Sequence, residues 1–279
     1  MLFNVRHTTL YRYSAPALLG PHVLRLCPQQ APGVRVIRWS IDIRPKPVGE
    51  TDYIDDAGNF VHAAWFAGST ESLSIATSIE ARTIPRNPFD FIVTNPGALV
   101  LPAKLDHARL LAPYLKPVQQ SGAVARLSAK LAKQAGSRTL EFLRIAAEHL
   151  AGFHKTIREE GPPQPPSKTL ASQTGACRDL TVLFMDLCRW QGLPARFVSG
   201  YWRGRRPVDR HHLHAWAEVY LPGAGWRGYD PTCGLAVSDE HLPLAAAPAP
   251  EGAAPVEGTY GGGAIESTLS WQIRIDVRP

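Results

Sequence analysis

Residues 175–194 read GACRDLTVLFMDLCRWQGLP. Leu180, Leu183, Phe184, Leu187 and Cys188 fall at i, i+3, i+4, i+7 and i+8, which predicts one buried face of a helix that begins near Ala176 and stops at Gly192, with Pro194 beyond. Cys177 then occupies the first turn, flanked by Arg178 and Asp179 instead of apolar neighbours. Unpaired backbone N–H groups and the positive end of the helix dipole favour a thiolate there, and can depress a cysteine pKa well below its free value of ~8.5. Gly175, just upstream, suggests a sharp turn and a close approach to substrate. The other cysteines, Cys27, Cys188 and Cys233, read as small inert hydrophobes, with Cys188 on the apolar face itself.

A nucleophilic thiol needs a base, and the base needs a group that fixes its orientation. Downstream, His212 to Tyr220 reads as a strand in which Leu213, Ala215, Ala217 and Val219 share one face and His214 projects from the other. Pro222 to Gly225 forms a turn, and Trp226 to Asp230 reads as the returning strand, ended by Pro231. Period-two alternation puts His214 and Asp230 on the same face only if the loop has an odd length or a bulge. A three-residue closure, Pro222 to Ala224, meets the condition and sets Asp230 across from Trp216, diagonal to His214. Cys177, His214 and Asp230 are therefore the candidate nucleophile, base and orienting acid. A metal site built from His212, His214 and Cys177 is the competing reading of the same residues, without a paired Cys or His motif to support it.

Outward from this centre the chain changes character. At 279 residues it exceeds an ordinary single domain. From Leu2 to about Arg82 short alternating patterns dominate: Ile37, Trp39, Ile41 and Ile43 in one stretch, Leu73, Ile75, Thr77 and Ile79 in another. The cluster Asp55 to Asn59 precedes the apolar run Phe60 to Phe66 as a hairpin connection would. Residues 1–95 are thus expected to form a β-sandwich-like domain. After the loop Pro85 to Pro102, helix formers with three- and four-residue apolar spacing run through Leu105–Leu115, Ala123–Ala135 and Thr139–Phe153, ahead of a proline-rich break at Gly161–Pro166. Residues 96–279 are expected to hold this helical segment and the catalytic core. Ala245–Gly263 is rich in alanine, proline and glycine and is expected to pack poorly, whereas Thr268–Val277 alternates again and is expected to close a sheet.

Composition removes several function classes. Hydrophobic residues make up 44% and charged residues 19%, the balance of a globular chain that buries a core. The formal charge of +6 is spread along the chain, which argues against nucleic acid as a partner; the local run Arg203, Arg205, Arg206 and Arg210 reads as a solvated loop. Met1 to Tyr13 lacks the apolar core of a signal peptide and no later stretch approaches a membrane span, so neither membrane attachment nor export is expected. Four scattered cysteines fit a reducing compartment, and the expected location is cytoplasmic. No glycine-rich phosphate loop and no Asp-rich calcium loop appears, so no cofactor and no metal is expected.

The residues resemble a known family, the bacterial transglutaminase-like proteins of the cysteine-protease superfamily in their two-part form. The resemblance is carried by Gly175 to Asp179, by Gly192 to Tyr201, by His214 to Tyr220, by Gly225 and Trp226, and by Tyr229 to Thr232. In the N-terminal part it is carried by His7 to Tyr13, Leu24 to Pro28 and Asp56 to Asn59. Arg178 stands where members often carry glutamine, and Leu242 to Ala253 replaces a more polar segment. The resemblance implies an α+β fold: an N-terminal β-sandwich-like domain, then a papain-like transglutaminase core with the cysteine helix packed on an antiparallel sheet. By the same similarity Cys177, His214 and Asp230 correspond to the family's nucleophile, base and acid. The implied activity is thiol-dependent acyl transfer through a thioester on a protein or peptide amide. Hydrolysis is the favoured outcome; transamidation, or a non-catalytic peptide-binding scaffold, is the alternative. The oligomeric state is not legible.

Overall fold

The computed structural model describes residues 1–105, 108–158, 161–204 and 212–279. In chain order the strands are β1 (Leu2–Leu24), β2 (Val34–Arg44), β3 (Gly49–Ile54), β4 (Phe60–Trp65), β5 (Ser69–Thr83), β6 (His154–Lys155), β7 (Thr174–Gly175), β8 (Ala195–Trp202), β9 (His214–Leu221), β10 (Gly225–Asp230), β11 (Leu235–Ala236), β12 (His241–Ala247), β13 (Val256–Gly261) and β14 (Ser267–Arg278). The helices are α1 (Ala108–Leu115), α2 (Gly122–Gln134), α3 (Thr139–Ala151), α4 (Pro166–Ser172) and α5 (Cys177–Arg189).

The fold is α+β. Its first layer is one seven-stranded antiparallel sheet, curled as a half-barrel around β1. At 23 residues β1 is far longer than an ordinary strand of roughly 3 to 10 residues, and it serves two sets of partners. Leu2–Arg12 pairs with β5 on one side and β14 on the other; His22–Leu24 pairs with β4 and β13. Register shifts between Arg12 and Ala17 and between Leu19 and His22 supply the bend. Phe3, Val5, Leu73, Ile75, Ile79, Ile273 and Ile275 fill the concave face, as the period-two patterns predict.

The terminal strand closes a sheet, and that sheet is the first one. Residues 256–278 follow β8 to β12 in sequence but hydrogen-bond to β1, so the boundary drawn at residue 95 does not separate the two layers in space. The physical reason is the long edge of β1, whose backbone groups need partners on both sides.

The second layer is the five-stranded sheet β11-β10-β9-β8-β12, with α5 packed on β8 and β9 and surrounded by α2, α3 and α4. The expected amphipathic helix over 176–192 is observed as α5, but it is buried on every side from Asp179 to Arg189. Two of its buried charged residues are anchored internally: Asp186 accepts the N–H groups of Val118 (2.6 Å) and Gln119 (3.0 Å), and Arg189 donates to Lys116 O (2.8 Å) and Ala195 O (2.7 Å).

The Ala245–Gly263 segment divides: residues 257–263 are exposed, as the composition suggests, but Ala245–Ala247 depart from expectation. All of β12 is buried, because it runs between the two layers: Leu242 and Leu244 enter the core of the half-barrel, while Ala245 and Ala247 face the helical core. Small side chains let the strand fit between two packed surfaces, so a composition that reads as loose becomes central. The N-terminal layer also satisfies the free edge of this strand. Asn59, fully buried at the end of the Asp55–Asn59 turn, accepts the Ala246 N–H (2.7 Å) and donates to Ala246 O (3.0 Å), and Gln29 N–H donates to Pro243 O (2.9 Å).

Candidate active site

Cys177 is the first residue of α5, after the extended N-cap Ala176. Alanine has no capping oxygen, so the first turn is secured from Asp179, whose carboxylate reaches back to the Ala176 N–H at 2.9 Å. The same fully buried carboxylate accepts Arg158 Nη2 at 2.5 Å and the Gln164 N–H at 2.7 Å, tying the preceding loop to α5. Gly175 has a role other than the expected turn. A Cβ there would lie 3.0 Å from Asp179 Cβ and 3.1 Å from Thr169 Cγ2, so its missing side chain is the space these two residues use.

Across from α5, the hairpin β9-β10 has the register the loop length predicts. Leu221 pairs with Gly225 and Ala217 with Tyr229, which continues to Asp230 opposite Trp216. His214 Nε2 lies 2.8 Å from Asp230 Oδ2. A carboxylate only accepts, so Nε2 carries the proton and Nδ1 is left for the cysteine side. The Cys177 sulfur is in hydrogen-bonding contact with the His214 imidazole and the Ala215 N–H. The three residues predicted from sequence thus converge from a helix start, a strand start and a strand end.

The electrostatics follow from this geometry. Burial opposes ionisation of the Cys177 thiol, but the hydrogen bond and charge of His214, with the Ala215 N–H, outweigh it and lower the pKa below the ordinary thiol value. Burial likewise opposes the charged form of His214, yet the charge and hydrogen bond of Asp230 reverse that and push it up to about 10. Asp230, against the cost of burial, is held well below the usual carboxylate range by His214 and His241. Both shifts favour the charged pair, a thiolate beside an imidazolium, over the neutral one.

His241 is the site residue that the sequence reasoning missed. At the start of β12, its Nε2 lies 3.2 Å from Asp230 Oδ2, the same oxygen that His214 uses, while Oδ1 accepts the Thr232 N–H at 2.8 Å. A lone histidine in a turn-rich stretch, 11 residues past Asp230, carries no spacing signal. Trp202 lies against both rings, 4.9 Å from His214 and stacked at 5.8 Å and 18° on His241.

The remaining candidates separate. Trp216 is buried beneath the histidines, its ring centroid 5.1 Å from that of His241 in an edge-on arrangement, and Tyr220 packs on Trp226 near the turn end of the hairpin. Gln173 is exposed in a left-handed turn after α4. Trp202 Nε1 is buried without a hydrogen-bond partner among the described residues. His212 turns away, onto Trp271 of β14 at 4.8 Å, so the metal grouping with His214 and Cys177 does not assemble. His214, Asp230 and His241 bring their donor atoms close enough to share an ion, but both ring N–H groups are committed to Asp230. Arg203 pairs with Glu240 at the surface (3.2 Å); Arg205, Arg206 and Arg210 lie outside the described residues. No helix among the described residues is long and apolar enough to cross a membrane.

Two family models match, one for each layer. The bacterial transglutaminase-like N-terminal region matches residues 3–82, and the transglutaminase-like superfamily matches 125–231, which spans Cys177, His214 and Asp230. The chain belongs to the bacterial transglutaminase-like proteins. Among its relatives, an uncharacterised Mycobacterium leprae protein is 23% identical over 268 residues, covering 93% of each chain. An uncharacterised Mycobacterium tuberculosis protein is 25% identical over 259 residues, covering 86% of this chain and 81% of its own. Among solved structures, a candidate cysteine protease from Cytophaga hutchinsonii superposes with a TM-score of 0.73 at 18% identity, over 100% of this chain and 93% of that one. The transglutaminase-like fold therefore extends over both layers, and its two parts are those that meet along β12.

Proposed function

We propose that the chain is a cysteine peptidase or amidase acting on a protein or peptide through Cys177, His214 and Asp230. The observation that carries this reading is the buried Asp230 carboxylate 2.8 Å from His214 Nε2, with the Cys177 sulfur at a helix start on the other side of the ring. In the reading, the Cys177 thiolate attacks the carbonyl carbon and His214 gives its proton to the departing amine as the C–N bond breaks, leaving a thioester. A water molecule then loses a proton to His214 and adds to the thioester carbon, releasing the acid and the thiolate. The Cys177 backbone N–H, without an intrahelical acceptor by its position, is the first oxyanion donor. Trp202 Nε1, buried beside His214 and unpartnered, supports Trp202 over Gln173 as the second.

Hydrolysis, in which water resolves the thioester, is the favoured outcome, and transfer to an amine is the alternative. A cytoplasmic site of action belongs to the same proposal, supported by the free thiols of Cys27, Cys177 and Cys188.

Incubating the protein with a peptide library and identifying by mass spectrometry what Cys177 holds tests the reading. A thioester adduct released as free acid supports it. Unchanged turnover in Cys177→Ala rejects the nucleophile, and product carrying an added amine moves the assignment to transamidation. A Cys177 that iodoacetamide labels at mildly acidic pH no faster than a plain thiol favours the non-catalytic scaffold.

A further inference from the structure

The Asp230 carboxylate is fully buried and accepts three hydrogen bonds, from His214, from the Thr232 backbone and from His241. Two of these belong to the reaction centre and its own turn. The third comes from another strand. His241 Nε2 must carry the proton it gives to Asp230, so Nδ1 is a bare acceptor, and it is buried with no partner among the described residues. A hydrocarbon of similar size would fill this place against Trp202 and Trp216 without stranding a polar atom. What histidine adds here is the Nε2–H on Asp230 Oδ2.

The strand that brings His241 to Asp230 is held by the N-terminal layer. Thr83 Oγ1 donates to Asp239 O at 2.5 Å, two residues before His241, and Gln29 N–H donates to Pro243 O at 2.9 Å, two residues after it. Asn59 then holds both backbone groups of Ala246. Each contact starts in the β domain and ends on the segment around His241.

We propose that His241 is a positioning residue for the Cys177–His214 pair, through which the N-terminal β domain fixes the Asp230 carboxylate and hence the His214 ring. The inference rests on the functional reading above. With its Nε2–H in place, Asp230 Oδ2 is held from two sides and cannot rotate away from His214. Without it, the carboxylate and the imidazole gain freedom and the thiolate loses its steady partner. The charged and titratable groups around His241 are Asp230, His214 and Glu240. Burial lowers the His241 pKa, with Asp230 partly offsetting this, which favours the neutral ring that donates through Nε2.

The test measures iodoacetamide alkylation of Cys177 against pH in the full chain, with Cys177→Ala as the blank for the other thiols. Wild type, His241→Gln and His241→Leu are compared. Glutamine carries its amide N–H about as far from the backbone as Nε2, whereas leucine has no donor. The expected result is a profile in His241→Gln close to wild type. In His241→Leu, alkylation at mildly acidic pH is expected to fall about 10-fold or more, with the acid limb displaced toward that of an ordinary thiol. A residue that only fills space predicts lower melting temperatures and superimposable profiles, and that outcome overturns the proposal. So does a glutamine variant as impaired as the leucine variant. If His241→Leu does not fold, His241→Asn replaces it, since its amide is too short to reach Oδ2; a wild-type profile there also overturns the proposal. A wild-type protein that itself titrates as a plain thiol refutes the functional reading and this inference together, whereas the preceding outcomes refute the inference alone.

Discussion

Replacing Asp230 with asparagine removes one negative charge and almost no volume from the buried end of the Cys177–His214–Asp230 array. In the wild type, burial pushes His214 toward its neutral form and Asp230 more than reverses this, holding its pKa at about 10 against an ordinary 6.5. At 1.36 kcal/mol per unit, that gap corresponds to roughly 5 kcal/mol in favour of the imidazolium, part of it from Cys177 itself. In Asp230→Asn the burial cost is unopposed by the carboxylate, and the thiolate–imidazolium pair reverts toward a neutral thiol and a neutral imidazole. If about 3 kcal/mol of the pairing is lost, the thiolate population at pH 6 falls about 100-fold. Iodoacetamide alkylation at pH 6, with Cys177→Ala as the blank and near-ultraviolet circular dichroism to establish folding, reads that population directly. A folded Asp230→Asn protein alkylated within about 3-fold of wild type would refute the claim that Asp230 sustains the ion pair.

Turnover is expected to follow a bell in pH: the acid limb lies below the ordinary thiol range, because the folded-state pKa of Cys177 is lowered, and the alkaline limb lies near 10, where His214 loses the proton it must donate. An alkaline limb near 6.5 would contradict the site electrostatics. Asn59→Ala leaves Ala246 N–H and C=O without their partners inside the protein, and is expected to cost about 2–4 kcal/mol in urea unfolding. A loss under about 0.5 kcal/mol would show that the clamp on β12 carries little. Asp179→Ala strips the first turn of α5 and leaves Arg158 without its buried carboxylate, with an expected loss of about 3 kcal/mol and slower alkylation of Cys177. Unchanged stability would mean that the Arg158 and Gln164 contacts are replaced by water at no cost.

Much of the site was legible because its elements are local. The face Leu180, Leu183, Phe184 and Leu187 marks a helix, and a cysteine just before that face has to stand at its N-terminus. The pairing of His214 with Asp230 was legible for a stricter reason: strand alternation and a three-residue turn leave one register in which both share a face, and the structure has that register. Gly175 was misread because a glycine that yields space to Asp179 and Thr169 looks, in sequence, the same as one that turns the chain.

Sequence alone, then, determined the helix start that carries Cys177, the hairpin that joins His214 to Asp230, and the alternating strands of the N-terminal layer, because each depends on residues within one turn or one hairpin. Tertiary structure decided that β14 returns to β1, that the alanine-rich β12 is buried between the layers, and that His241 reaches the triad from its far end. These pairings join segments separated by anything from 11 residues, for His241 and Asp230, to nearly the whole chain, for β1 and β14. They are chosen by which edges and faces are left to fill once the local elements exist, and no periodicity within either segment records the choice.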